Sequence, residues 1–223
     1  AFAVEPRTAE LPIEQTLEGD LATLSKDFNR GFGRPTPFMD CGVMVGRKVW
    51  TLKTEAVYTG RAKTLGDVLQ PEREVPAEYR LNPAQLADWK WLKGAKKDPR
   101  VDKKTGHKYF YSEGPIAFPD PVDRPSRTVV TGEGGSSPSR FKHVVKVNGH
   151  MRRLTPVELE RLNMFPDDHT AGIPDTRRAF LMGNALVVGV VRKIGEKLAQ
   201  LVTARQATAI SVSAPSPRER VPA

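Results

Sequence analysis

The chain has 223 residues, enough for one large domain or two small ones, with hydrophobic residues at 39% and charged residues at 27%. Its formal charge of +9 and pI near 9.8 favour a polyanionic partner, nucleic acid ahead of an anionic membrane, with an ordinary basic domain as the alternative. The longest apolar run, ALVVGVV, is far too short to span a bilayer, and a lone Cys41 beside four His argues against both a disulfide framework and a Cys/His zinc site.

The N-terminus AFAVEPRTAE lacks the basic flank and apolar stretch of a signal peptide, and the cysteine usage suits a reducing compartment, so a cytoplasmic location is expected. AFAV reads as a strand entered midway, as in a piece of a longer polypeptide. DLATLSKDF reads as a helix and GFGRPTPFMDCG as a loop. GVMVGRKVWTLKT and AVYTG predict strands joined by tight turns. TLGDVL predicts a brief helical turn, and NPAQLADWKWLKGAKK a helix begun by Asn82 and Pro83 and stopped near Gly94.

Residues 90–108 hold the highest local charge, with seven Lys and one Arg against two Asp, flanked by Trp89, Trp91, Tyr109, Phe110 and Tyr111. Basic groups can contact phosphates and aromatic rings can stack on bases, although a solvated face is the plainer reading. Residues 116–146 read as strand, loop, strand. The intervening GEGGSSPSR can bring main-chain amides close to a ligand, but it lacks the Lys-Ser/Thr ending and apolar helix of a phosphate-binding loop.

RLTPVELERLNMFPDD is the most firmly signalled element. Thr155 is a good N-cap, Pro156 suits the first helical position, and Glu158 completes a capping box. Leu154 and Leu159 form a hydrophobic staple, Leu159 and Leu162 share a face, and the helix must end before Pro166. A polar loop follows over 167–178. A long helix is then expected over roughly 184–203, with Asn184 as its N-cap and Leu186, Val187, Val190, Val191, Ile194, Leu198 and Leu201 at helical spacing. Residues 204–223 have the composition of a disordered tail.

Two of these stretches, in this order, resemble the last two sequence blocks of the DNA cytosine-5 methyltransferases. Arg152, Leu154, Thr155, Glu158, Arg161, Leu162, Phe165, Pro166 and Asp167 match the ninth block, and Gly183, Asn184, Ala185 and Leu186 match the start of the tenth. The resemblance implies an α+β fold: a small mixed recognition domain of short strands and loops, then a long C-terminal helix that packs on a Rossmann-like catalytic domain missing from this chain. It implies four segments: 1–32 as the end of a catalytic-domain strand and linker, 33–170 as the target-recognition domain, 171–203 as the tenth-block helix, and 204–223 as the tail.

The resemblance further implies S-adenosyl-L-methionine as cofactor, lined in part by Gly183, Asn184, Ala185 and Leu186, with the positive end of the Asn184-capped helix toward its carboxylate. Double-stranded DNA is the implied partner, met by Arg127, Thr128, Val129, Arg140, Lys142 and His143. Arg152, Thr155, Glu158 and Arg161 are the implied supports of the recognition loops. No metal and no membrane contact are expected, and a restriction-modification setting fits the family. The Pro-Cys-Gln nucleophile, the Glu-Asn-Val block and the Phe-x-Gly-x-Gly turn are not found in the sequence. Cys41, in FMDCGVM, therefore reads as a structural thiol, GFGR as a chance glycine turn, and catalysis is expected to require an N-terminal portion or subunit. The alternative is a stand-alone, sequence-selective DNA-binding module.

Overall fold

The computed structural model describes residues 4–6, 12–27 and 39–213. The chain forms two compact units, Ala1–Gly60 and Arg61–Ala223, a division inside the span that the sequence assigns to one recognition domain.

In the first unit, β1 (Val4–Pro6) pairs with β5 (Thr54–Ala56), while β2 (Ile13–Thr16), β4 (Lys48–Leu52) and β3 (Cys41–Val45) make an antiparallel sheet in the order β2-β4-β3. Gly46 and Arg47 both take positive φ, 52° and 66°, giving the two-residue turn whose twist suits a hairpin. Glu14 accepts hydrogen bonds from Lys48 Nζ and Trp50 Nε1 across the sheet, each at 2.9 Å. Helix α1 (Leu21–Asp27) starts at Asp20, whose carboxylate accepts from the Ala22 and Thr23 amides. Cys41 is exposed, with its Sγ 3.3 Å from Thr54 Oγ1. Residues 31–34 (GFGR), 1–3 and 214–223 lie outside the described residues.

The second unit opens with single helical turns at Gly66–Val68, Glu72–Glu74, Ala77–Tyr79 and Pro83–Gln85, followed by α2 (Leu86–Lys93). Asn82 caps as expected, accepting from the Ala84 amide, and the Gly94 amide closes α2 on Lys90 O. Two antiparallel hairpins follow, β6 (Lys96–Val101) with β7 (Lys108–Glu113), and β8 (Val144–Val147) with β9 (His150–Arg153). Between them, residues 114–143 carry no strand or helix. The strand expected at its start is absent because Pro115, Pro119, Pro121 and Pro125 deny it ladder donors.

Helix α3 (Pro156–Leu162) has the expected capping box, with Glu158 N donating to Thr155 Oγ1 (3.2 Å) and Thr155 N to Glu158 Oε2 (2.9 Å). The staple pair Leu154 and Leu159 joins Leu65, Val68, Val145, Ala179 and Met182 in the core, with Val129, Leu162, Phe165 and Ala185 partly buried against it.

The C-terminal helices correct the sequence reading. Residues 175–178, expected in a loop, begin α4 (Asp175–Asn184), so Asn184 ends a helix rather than capping one. The extended backbone at Ala185 (φ −77°, ψ 150°) interrupts the chain before α5 (Val188–Ser213). Helix α5 also runs ten residues beyond the expected end, through TARQATAISVS, where alanine, arginine and glutamine favour helix. Among the described residues, no helix is long and apolar enough to cross a membrane.

Candidate functional site

Helix α3 is fixed by charge as well as by its apolar face. Arg152 and Glu158 are fully buried and joined by two 2.8 Å hydrogen bonds from Nη1 and Nη2. Glu158 also accepts from Gln70 N (2.8 Å) and Thr155 N, so each carboxylate oxygen has two donors. Arg152 Nε turns to Glu72 at 3.1 Å. The ion pair therefore clasps the turns at 66–74 to the start of α3. One helical turn on, Arg161 binds Asp167 with two bonds, at 2.7 and 2.6 Å, and donates to Val68 O. The buried Glu160 accepts from Arg178 and Thr170, holding the 167–172 turn against α4. Burial pushes the Glu160 carboxyl up, but these hydrogen bonds outweigh it and hold it below the ordinary carboxylate range.

The irregular segment 114–143 is shaped by buried polar side chains, which stand in for the hydrogen bonds a ladder would supply. Asp120 accepts from Arg127 Nε (2.6 Å), Arg127 Nη2 (3.2 Å) and the Val144 amide (2.9 Å). Lys93 Nζ lies 3.8 Å from Asp120 and donates to Lys142 O at 2.6 Å. Burial lowers the Lys93 ammonium to about 8, although Asp120 opposes that shift. His143 is wholly buried, with Nδ1 2.7 Å from Glu133 Oε1 and Nε2 3.0 Å from Ser126 Oγ. Lys142 Nζ donates to Gly135 O and Ser137 O, curling the Gly/Ser loop around its ammonium. Arg140 donates to Leu92 O and Gly94 O.

A cleft of about 440 Å³ opens where these two regions meet. Ser126, Arg127, Thr128 and Val129 line one side, Gly183, Ala185 and Val187 another, and Arg161 through Met164 the floor between them. Gly183 brings the two sides together. A Cβ placed there would lie 2.3 Å from Thr131 N and 2.4 Å from Val130 C, so only glycine allows the end of α4 to rest on the backbone of the RTVVT stretch. Asn163 seals the floor, donating from Nδ2 to Met182 O and accepting from Val188 N, each at 2.9 Å.

The sequence candidates thus separate into four groups. Thr128, Val129, Arg127, Arg161, Gly183 and Ala185 share the cleft. Asn184, whose amide donates to Phe180 O, and Leu186, 74% exposed, are not among the residues that line it. Arg140, Lys142 and His143 are spent on internal partners, and the buried His143 imidazole has no surface to offer a base edge. Arg152, Thr155 and Glu158 are buried supports. Sequence reasoning missed Asp120, Glu133, Glu160 and Asn163, whose partners are remote in sequence, and Lys63 and Thr64 at the cleft.

The family model for C-5 cytosine-specific DNA methylases matches residues 54–200. The Type II methyltransferase M.Sau3AI of Staphylococcus aureus is 36% identical over 202 residues, covering 90% of this chain and 46% of that protein. The chain thus spans about half the length of the curated relative it matches. No solved structure matches it. The family match takes in both sides of the cleft as well as the clasp beneath it, and the chain belongs to the C-5 cytosine-specific DNA methyltransferases.

Proposed function

We propose that this chain is the C-terminal part of a DNA cytosine-5 methyltransferase, as a fragment or a split subunit, supplying target recognition and one wall of the S-adenosyl-L-methionine pocket. The observation that carries this reading is the shared cleft, where Thr128 and Val129 face the Gly183–Ala185 turn. Its volume is in the range of small-molecule sites. Gly183, Ala185 and Val187 give a low apolar edge suited to a flat ligand, which fits this cofactor. Gly183 and Ala185 would hold it from this side, and Asn184 and Leu186 would turn toward the N-terminal portion. When bound, the cofactor supplies the methyl group for C5 of cytosine.

The residues of this chain act on the DNA and on the shape of the pocket. Extruding a base from the duplex costs a few kcal/mol, which contacts to the opened duplex offset. Thr128, exposed at the rim, offers a hydroxyl and Val129 an apolar contact near the target base, while Arg127 lines the cleft with its guanidinium tied to Asp120 and Phe141 O. His143 holds Ser126 two residues before Thr128, while Lys142 shapes the Gly/Ser loop and Arg140 the root of the β6–β7 hairpin. Helix α5 supports the division of labour. Its apolar residues, Ile194, Leu198 and Leu201 among them, are exposed, as suits a face that packs on a catalytic portion. The same exposure weighs against a stand-alone binding module.

The test is methyl transfer from labelled S-adenosyl-L-methionine to duplex DNA. The chain alone is expected to transfer none, and addition of a family N-terminal portion bearing the Pro-Cys-Gln block is expected to give activity that Gly183→Leu abolishes. Transfer by the chain alone, or no activity in the mixture, overturns the proposal.

A further inference from the structure

The β6–β7 hairpin has two unlike faces. Directly paired residues in an antiparallel ladder project to the same side, and sides alternate along each strand. The register Lys96↔Glu113, Asp98↔Tyr111 and Arg100↔Tyr109 places both acids of the strands on one side. There the Glu113 charge is answered locally. Glu113 accepts from Tyr111 Oη and lies near Arg140 (3.2 Å) and Lys96 (3.8 Å), while Arg100 sits 3.7 Å over the Tyr111 ring.

The pairs Lys97↔Ser112, Pro99↔Phe110 and Val101↔Lys108 form the opposite face. All six residues are exposed, Phe110 at 63% and Val101 at 56%. Lys97 Nζ lies over the Phe110 ring at 5.0 Å. Among the described residues, neither strand contributes an acid to this face.

The hairpin is also built as a fixed arm. Arg140 donates to Gly94 O just before β6 and to Gly114 O just after β7, clasping its root to the recognition loop. At the tip, Asp102 accepts from the amides of Lys104 and Thr105 at 2.9 and 2.8 Å, leaving Lys103 and Lys104 exposed on an ordered turn.

We infer that the Lys97–Phe110–Lys108 face of this hairpin is a second DNA-contact surface, one that reads no sequence. It lies along the sugar–phosphate backbone of the duplex outside the cleft. Lys97 and Lys108 pair with phosphates, and Phe110, Val101 and Pro99 cover deoxyribose. A two-stranded ribbon has the dimensions to follow a groove of duplex DNA. Charge complementarity selects the partner: an acid-free face with two lysines and an aromatic ring matches a surface that alternates phosphate and sugar. The inference rests on the reading that this chain binds DNA.

The test is the salt dependence of binding of the 223-residue chain to a fluorescent duplex of about 24 base pairs, between about 50 and 200 mM salt. Removing both charges by K97Q/K108Q is expected to lower the slope of log affinity against log salt by about 1.8, and to weaken binding by roughly 10- to 100-fold near 0.1 M salt, for every duplex sequence alike. Phe110→Ser is expected to weaken binding several-fold with the slope unchanged. K48Q/K53Q, which removes two charges from the other unit, is expected to leave the slope as it is. Circular dichroism and unfolding curves matching the wild type exclude misfolding of these surface variants. An unchanged slope for K97Q/K108Q, or an equal fall for K48Q/K53Q, overturns the hairpin assignment while leaving DNA binding intact. Absence of any binding by the wild-type chain overturns the DNA reading and the hairpin assignment together.

Discussion

Helices α3 and α5 solve opposite problems. The first has seven residues and buries Pro156, Glu158, Leu159 and Glu160, and partners within the chain meet both its apolar face and its charges. The second has 26 residues, and Val190, Val191, Ile194, Leu198, Leu201 and Val202 remain exposed along it. A helix of two turns has little stability of its own, so α3 exists because tertiary contacts demand it. Helix α5 is long enough to persist on its own hydrogen bonds, and the described part of its apolar stripe is left exposed. Anchorage, rather than length, separates the two helices: the short one is held by buried partners of its own chain, and the long one leaves apolar side chains exposed.

The largest effect is expected at the anchor. Glu158→Ala leaves the buried Arg152 guanidinium with only Glu72 and its own neighbour's carbonyl, Arg153 O. Breaking one side of a buried pair costs about 3–5 kcal/mol, read as a lower urea midpoint with the slope held. A loss under about 1 kcal/mol would erase the contrast with α5, because α3 would then stand without its clasp.

The polar core of the 114–143 segment offers a test by pH. Lys93 is held at about 8 by burial, against 10.5 for the unfolded side chain. Below 8 both states carry the proton and the folded state bears the full burial cost. Between about 8 and 10.5 the unfolded chain keeps the proton that the folded chain has released, so stability rises with pH. The expected gain is about 2–3 kcal/mol, measured as the wild-type change in unfolding free energy minus that of Lys93→Met. An identical pH profile in the two proteins would show that Lys93 is not anchored as its geometry indicates.

A smaller loss is expected at the seam between α4 and the RTVVT stretch. Gly183→Ala brings a methyl group to within 2.3 Å of main-chain atoms, which cannot rotate away as a side chain can. Overpacking of this kind costs about 1–3 kcal/mol. Enhanced amide exchange at Val130 and Thr131 would localise the loss, and exchange unchanged there would mean that the seam is not formed in solution.

These anchors differ in how far the sequence announces them. Helix α3 is legible because its signals are local: Thr155, Pro156 and Glu158 stand within its first turn, and Leu154 and Leu159 are five residues apart. Strand β9, HMRR, is not, since two buried arginines look like surface until Glu72 and Glu78, some 75–80 residues earlier, are placed beside them. The Asn148-Gly149 pair, with φ of 47° and 84°, was the available sign of its hairpin. Pro99 and six basic residues hid β6–β7, because its alternation sorts charge from charge rather than apolar from polar. In the site, Arg140, Lys142 and His143 drew attention by being basic in a basic loop. Their partners are backbone carbonyls and Glu133, which carry no signal in the sequence. Gly183 was found by resemblance, yet its physical partner is a stretch of main chain some fifty residues earlier.

The smallest effect on stability is expected at α5, and it carries the sharpest form of the comparison. Ile194→Ser with Leu198→Ser removes apolar groups that are 42% and 57% exposed, so the isolated chain should change by no more than about 0.5 kcal/mol. Aggregation of the isolated chain should fall, because a contiguous apolar face is lost. Association with an N-terminal catalytic portion, followed by sedimentation or by recovered methyl transfer, should be lost in the same variant. A core helix would respond in the reverse order, with stability lost first and partner binding only as a consequence. If the double variant unfolds the isolated chain, α5 is covered by its own polypeptide in solution. Its stripe then no longer argues for a missing half, and the contrast with α3 becomes one of degree.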